Sequence, residues 1–78
     1  MRSTTKAVRR ALDAWPGTMR GLAREAGVPL STLSRVGSGE RDATVDVAAA
    51  VAGACTSAAD ALTAAAKALE AACKEETP

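Results

Sequence analysis

The segment from Thr18 to Arg41 constrains the fold most, because glycine and proline divide it into pieces that each suit one small helix. Its sequence is TMRGLAREAGVPLSTLSRVGSGER. Apolar residues recur at helical spacing before Gly27 and again after Pro29, and a glycine readily takes the left-handed conformation that ends a helix. The pattern therefore predicts two short helices joined by a tight turn, which is the helix-turn-helix arrangement.

Three short helices are predicted in the first half of the chain. The first covers Ser3–Trp15 and ends at Pro16-Gly17, because proline disfavours helical backbone in the residue before it. The second covers Met19–Ala26 and the third Pro29–Val36, with Thr18 as the N-cap of the second. The residues expected to face the core recur at a spacing of three and four. They are Val8, Ala11, Leu12, Trp15, Met19, Leu22, Ala23, Ala26, Leu33 and Val36.

The second half of the chain predicts two further helices. Alanine supplies 20 of the 78 residues, favours helix, and no stretch alternates with a period of two. The fourth helix is expected from a Thr44 cap to Ala54, and the fifth from Ser57, paired with Asp60 as a capping box, to Lys74. The fold class is therefore all α with five helices. Residues 1–56 form the helix-turn-helix core, and residues 57–78 form a C-terminal Ala/Leu helix.

The net charge of +1 conceals a strong division between the two halves. Residues 1–41 carry eight Lys and Arg against three acids, a balance of +5, whereas residues 42–78 carry two against six, a balance of −4. The basic half coincides with the helix-turn-helix, and phosphates would repel the acidic half. The simplest interpretation is that the basic and the acidic half of the chain have different functions.

A heptad seam runs along the predicted last helix, with apolar residues spaced alternately by four and three. Its members are Cys55, Ala59, Leu62, Ala66, Leu69 and Cys73. Two interpretations remain open and can coexist. The seam either packs on the apolar stripe of the first helix around Trp15, or it pairs with another copy of the chain in a homodimer or a higher oligomer.

Several classes of protein are not expected. The chain has no His, no Tyr, no glycine-rich phosphate loop and no Cys/His cluster of metal-ligand spacing, so no enzyme, metal or cofactor is expected. Cys55 and Cys73 lie about 27 Å apart if one helix carries both, so they cannot bond to each other within one chain. Neither a secretory signal nor a membrane span is expected, no small-molecule ligand is evident, and the expected location is the cytoplasm.

The segment from Thr18 to about Ala54 resembles the lambda-repressor-like family, the Cro and repressor type of helix-turn-helix also called xenobiotic-response-element regulators. The matching positions cover about half of the chain. They are Leu22-Ala23, Gly27-Val28, Ser31-Thr32-Leu33-Ser34-Arg35-Val36, Gly39, Arg41 and Thr44. The resemblance implies five short helices around one core and binding to double-stranded DNA.

The resemblance also implies which residues contact DNA. The third helix would read bases through Leu30, Ser31, Thr32 and Arg35. The start of the second helix and the loop after the third would hold the phosphate backbone through Thr18, Met19, Arg20, Ser38 and Arg41. The chain departs from the family where Pro29 replaces Ser or Thr and where Leu30 replaces Gln, the usual adenine reader. Leu30 either contacts a thymine methyl group or is partly buried against the second helix.

The residue inventory narrows base recognition to arginine. The chain contains no Asn, Gln or His, so no amide can bind adenine in the bidentate way, and polar recognition falls to Arg35. The expected function is a phage or bacterial transcriptional regulator that binds an operator as a dimer, acting at the nucleoid or in a host cytoplasm. The alternatives are a phage DNA-packaging or nucleoprotein-assembly subunit, and an antitoxin or adaptor whose last helix binds a protein.

Overall fold

A computed structural model describes residues 2–76 and confirms the all-α prediction, because 81% of these residues are helical and none is in a strand. Four helices follow one another along this part of the chain, α1 (Ser3–Ala14), α2 (Met19–Ala26), α3 (Leu30–Ser38) and α4 (Val45–Glu76). The bounds of α1 and α2 agree with the predicted ones to within one residue. Helix α3 begins one residue later than predicted and ends two residues later.

Left-handed glycines end both helices of the helix-turn-helix. Gly27 has φ of +69°, and the N–H of Val28 donates to the carbonyl oxygen of Ala23 at 3.0 Å. Gly39 has φ of +87°, and the N–H of Glu40 donates to the carbonyl oxygen of Arg35 at 3.0 Å. Both ends thus have the Schellman arrangement, which satisfies carbonyl groups that the helix leaves without partners. Gly37 and Ser38 remain helical, so α3 continues past its predicted end at Val36 and ends at the C-cap Gly39.

The core lies between the three short helices and the first half of α4. Helix α1 packs against α3 and α4, and α2 packs against the same two helices. The buried apolar residues form two clusters. They are Val8, Leu22, Ala23, Leu33, Val36, Ala43, Val51 and Ala54. Most predicted core positions are buried or half-buried, including Trp15, which packs against the larger cluster. Met19 is the exception, since 37% of it is exposed.

The prediction of five helices is not confirmed, because the expected fourth and fifth helices are one continuous helix. Residues 55–57 were expected to separate them, but they are helical, and Ser57 does not act as an N-cap. The physical reason is that these positions contain no proline or glycine, and that alanine favours helix on both sides. The predicted boundary between residues 56 and 57 therefore falls inside α4. Thr77 and Pro78, the end of the predicted C-terminal segment, lie outside the described residues.

The second half of α4 projects beyond the core. Every residue from Ala59 to Glu76 is exposed, with Leu62 at 59% and Leu69 at 67%. The described chain measures 56 Å along its long axis and about 20 Å across, as a protruding helix requires. The idea that the seam packs on the apolar stripe of α1 is therefore wrong for Leu69. Leu62 only borders a groove that Trp15 also lines.

The length and composition of α4 also satisfy the criterion for a candidate membrane span. An 18-residue window within it has a mean hydropathy of 1.4, and 11% of that window is buried. Core helices and signal sequences pass the same criterion, so one such helix is weak support for a membrane protein. The absence of a membrane span stays a prediction from the sequence.

The two glycine conformations predict opposite effects of substitution. Gly27→Ala forces an L side chain into left-handed backbone and is expected to lower the free energy of unfolding by about 1–2 kcal/mol. Gly53→Ala is the matched change in a helix interior, where no neighbouring atom lies within 4 Å of the added methyl group. This substitution should raise the free energy of unfolding by about 0.5–1 kcal/mol. Urea unfolding followed by circular dichroism measures both. Equal effects of the two substitutions would contradict the assigned backbone.

Candidate nucleic-acid interface

One face of α3 is exposed while the opposite face anchors it in the core. Leu33 and Val36 are fully buried, and the outward face consists of small hydroxyl residues and one long cation. The exposed residues are Ser31, Ser34, Arg35 and Ser38. This face has no large apolar side chain that would obstruct close approach to a flat or grooved partner. It coincides with the predicted base-reading positions Ser31 and Arg35.

The two other predicted base readers are less exposed. Leu30 and Thr32 are half-buried, and Leu30 packs against the core cluster that contains Leu22 and Leu33. The second interpretation of Leu30, partial burial against the second helix, agrees with this position, because the cluster includes Leu22 and Ala23 of α2. The part of Leu30 that remains accessible lies at the start of α3, beside the exposed Ser31.

The start of α2 presents a capped helix end. The side chain of Thr18 accepts a hydrogen bond from the N–H of Gly21 at 3.0 Å, as predicted for an N-cap. Met19 and Arg20 follow in the first turn, which contains no acidic residue. The positive end of a helix dipole attracts anions, and the hydroxyl hydrogen of Thr18 stays available to donate to one. This end of α2 is therefore suited to a phosphate group.

A surface cleft of about 270 Å³ joins the start of α2 to the end of α3. Met19 lines it from α2, and Ser34, Gly37 and Ser38 line it from α3. A side chain on Gly37 would lie 3.6 Å from the Met19 methyl group, so the two helices meet closely here. The structure thus brings together two of the predicted backbone contacts, which are far apart in sequence. The hydroxyl of Ser38 donates to the carbonyl oxygen of Arg35 at 3.1 Å.

A buried threonine that is not among the predicted site residues holds the loop after α3 in place. Thr5 is 1% exposed, and its hydroxyl donates to the Asp42 carboxylate at 3.1 Å. The same oxygen accepts from the N–H of Ala43 at 2.9 Å. These two bonds connect α1 to the segment between α3 and α4, which carries Arg41. The signal was present in the sequence, because Thr5 lies on the apolar stripe of α1, three residues before Val8.

An exposed ion pair accompanies this contact. Arg2 Nε lies 3.8 Å from Asp42 Oδ2, with 72% and 54% of the two side chains exposed. Water and salt screen such a pair, so it contributes little to stability. The two hydrogen bonds of Thr5 therefore hold the loop more than the ion pair does.

Four exposed arginines surround this surface, together with three exposed acids. Arg20, Arg24, Arg35 and Arg41 belong to α2, α3 and the loop that follows, which also carry Glu25, Glu40 and Asp42. The acids of the second half begin at Asp42 and continue along α4. The positive excess of residues 1–41 includes the cations at and before α1, so a polyanion would be attracted to this half as a whole and repelled by the end of α4. No group of residues among positions 2–76 has the arrangement needed to hold a metal ion.

The seam residues occupy one long strip of α4. Cys55 is half-buried at the edge of the core, whereas Ala59, Leu62, Ala66, Leu69 and Cys73 are exposed. Within the described residues the cysteines form no disulfide, and both lie on this single helix.

Comparison of the chain with protein-family models, with curated proteins and with solved structures gives no match.

The Thr5 contact predicts a specific loss of stability. Thr5→Val keeps the shape of the side chain but leaves the Ala43 N–H without its acceptor in a buried site. We expect a decrease of about 1–3 kcal/mol in the free energy of unfolding, measured with urea. Thr5→Ser should retain most of the stability. The control is Thr4→Val, a half-buried neighbour, which should change the stability by less than the Thr5→Val change. A Thr5→Val protein as stable as the parent would show that the bond is not needed.

Proposed function

We propose that this chain is a sequence-specific DNA-binding regulator of the helix-turn-helix type, which binds an operator as a dimer and represses by occupying it. The observation that carries this proposal is the outward face of α3, with Ser31, Ser34 and Arg35 exposed and Leu33 and Val36 fully buried. A helix that is anchored on one side and small and polar on the other fits the major groove. The lambda-repressor-like resemblance of the same segment supports the proposal.

The flanking surfaces supply the sequence-independent part of binding. The capped start of α2 and the loop held by Thr5 lie on either side of the α3 face in sequence, and Met19 and Ser38 meet in one cleft. Phosphate contacts from these two segments would fix the position of α3 on the duplex. Arg20 and Arg41 are the exposed cations of these segments and are proposed as phosphate contacts.

A subunit of a DNA-packaging or nucleoprotein assembly is the second candidate. The long exposed half of α4 favours it, because such a helix can join many copies as well as two. Light scattering separates the two candidates. Two chains per particle supports the regulator, and eight or more supports the assembly.

Binding that depends on phosphate contacts should depend strongly on salt. With three or four phosphate contacts per subunit, a dimer is expected to give a slope of about −5 to −7 for log K against log salt concentration. Fluorescence anisotropy with a labelled duplex measures it. Arg20→Ala and Arg41→Ala should each weaken specific and random DNA about equally and make the slope shallower. A slope near zero would contradict the proposed interface.

Arg35 should carry base recognition. Its guanidinium group can donate two hydrogen bonds to O6 and N7 of one guanine. Selection from a random DNA pool should therefore return half-sites with a required G·C pair, with thymine favoured beside it through the methyl group of Thr32 or through Leu30. Arg35→Ala should cost about 1–3 kcal/mol on the selected site and much less on random DNA.

Two further variants control this experiment. Arg35→Lys should not restore full specificity, because an ammonium group lacks the planar fork of arginine. Arg20→Ala removes an exposed cation from the same surface and should leave the base preference unchanged. If Arg35→Ala weakened both kinds of DNA equally, Arg35 would be a phosphate contact and the proposed mode of recognition would be wrong.

A further inference from the structure

The exposed half of α4 presents small and large residues in strict alternation along one face. In the heptad repeat, the a positions are Ala59, Ala66 and Cys73. The d positions are Cys55, Leu62 and Leu69. Leu62 and Leu69 are 59% and 67% exposed, although leucine is the residue that gains most from burial on this helix. The face is therefore suited to a partner helix that places large residues opposite the alanines.

A second copy of the chain provides such a face only if it runs in the opposite direction. In a parallel pair, identical positions meet, so alanine would face alanine and leave space while leucine faced leucine. In an antiparallel pair, a positions meet d positions, so each leucine then faces an alanine and these layers fill space evenly. We infer that α4 forms an antiparallel homodimer through this face, with a twofold axis that crosses the seam at the level of residue 64. The facing pairs are Cys55 with Cys73, Ala59 with Leu69, and Leu62 with Ala66 of the second copy.

The three short helices and the first half of α4 form the folded head of the chain. A groove on this head continues the exposed face of α4. Helix α1 contributes alanines on one side, and the seam residues Cys55, Ala59 and Leu62 of α4 lie on the other. The part beside Trp15 has a volume of about 170 Å³ and is lined by Ala11, Ala14, Trp15, Cys55, Ala59 and Leu62. In the antiparallel register, Leu69 of the second copy reaches Ala59 and therefore lies against this groove. The groove thus continues the helical contact and would bury side chains that the single chain exposes.

The charge distribution favours the same direction. The acidic end of α4, with Glu75 and Glu76, would lie beside α1 of the second copy, whose exposed cations include Lys6 and Arg10. A parallel pair would instead bring two acidic ends together and two basic heads together. Along the helix, Asp60 would lie level with Lys67 of the second copy to within one residue, about 1.5 Å. Antiparallel pairing also aligns the helix dipoles favourably.

This arrangement gives a dimension that bears on the proposed function. Val51 and Ala54 mark where each head packs on α4. At about 1.5 Å per residue, the points at which the two heads pack on α4 lie about 35 Å apart along the dimer, close to the 34–36 Å between DNA half-sites one helical turn apart. The half-site spacing of one turn rests on the proposed DNA binding, whereas the dimer itself does not.

Cysteine cross-linking tests the direction without any DNA. Oxidation of the full-length protein with diamide, followed by non-reducing electrophoresis, should give a cross-linked dimer through Cys55 of one copy and Cys73 of the other. Cys55→Ser and Cys73→Ser should each abolish the cross-link, because the remaining thiols lie about 27 Å apart along the dimer, too far for a disulfide. A parallel dimer would still cross-link in both variants. That result, or no cross-link in the parent protein, would overturn the inference.

Charged substitutions test the surface itself. Leu62→Asp together with Leu69→Asp should shift sedimentation from two chains to one and raise the dissociation constant at least tenfold. The helical content of the head should persist. Ala64→Asp adds a charge on the opposite face of the same helix segment and should leave the dimer intact. If the doubly substituted protein does not fold, Leu69→Asp alone decides, because Leu69 is 67% exposed in the single chain and belongs to neither core cluster.

A lipid surface is the competing occupant of this face. The full-length protein is mixed with phosphatidylcholine and phosphatidylglycerol vesicles and floated in a density gradient. The antiparallel dimer should stay with the soluble fraction. Flotation of the parent protein combined with a single chain in sedimentation would overturn the inference in favour of a membrane. A soluble dimer that binds no DNA would instead contradict the proposed function alone.

Discussion

The packing of three short helices against the first half of α4 is the constraint on which the rest of the structure depends. Each of the short helices has fewer than 13 residues and is marginal alone. Val51 and Ala54 belong to the same cluster as Leu22 and Leu33, so α4 closes the core over the helix-turn-helix. The burial of Leu33 and Val36 in the core determines which face of α3 is exposed. The candidate interface is thus a consequence of core packing.

The core itself is built from small residues, and this affects what the chain can do alone. Apart from Leu22 and Leu33, the buried apolar residues are valine and alanine. Such residues bury less apolar surface than larger ones, and a chain of 78 residues has a high ratio of surface to volume. A second copy that covered the groove beside Trp15 and the leucines of α4 would add to a limited core. The proposed dimer would then stabilise the fold by mass action as well as position it on DNA.

The sequence predicted the local structure of the first half well, because strong chemical signals determine it. Thr18 caps α2, and Gly27 adopts the left-handed conformation that the pattern required. The sequence predicted the second half less well, because alanine fits a helix in any register and does not indicate where a helix ends. Ser57 and Asp60 match a capping box, but such a pair is common in sequences. The helix propensity of the surrounding residues overrides it here. The apolar stripe of α1 indicates that Thr5 is buried, but its hydrogen-bond partners lay beyond prediction, because they are 37 and 38 residues away in the sequence.

The continuity of α4 links the two halves of the molecule. A break near residue 56, as the sequence suggested, would have left the seam free to turn relative to the head. In the structure the same helix carries the core residues Val51 and Ala54 and then the exposed Leu62 without a hinge. The direction of the seam is therefore fixed relative to α3 by the helix itself. If two copies pair through that seam, the register of the pair, rather than a flexible linker, sets the distance between their DNA-facing helices.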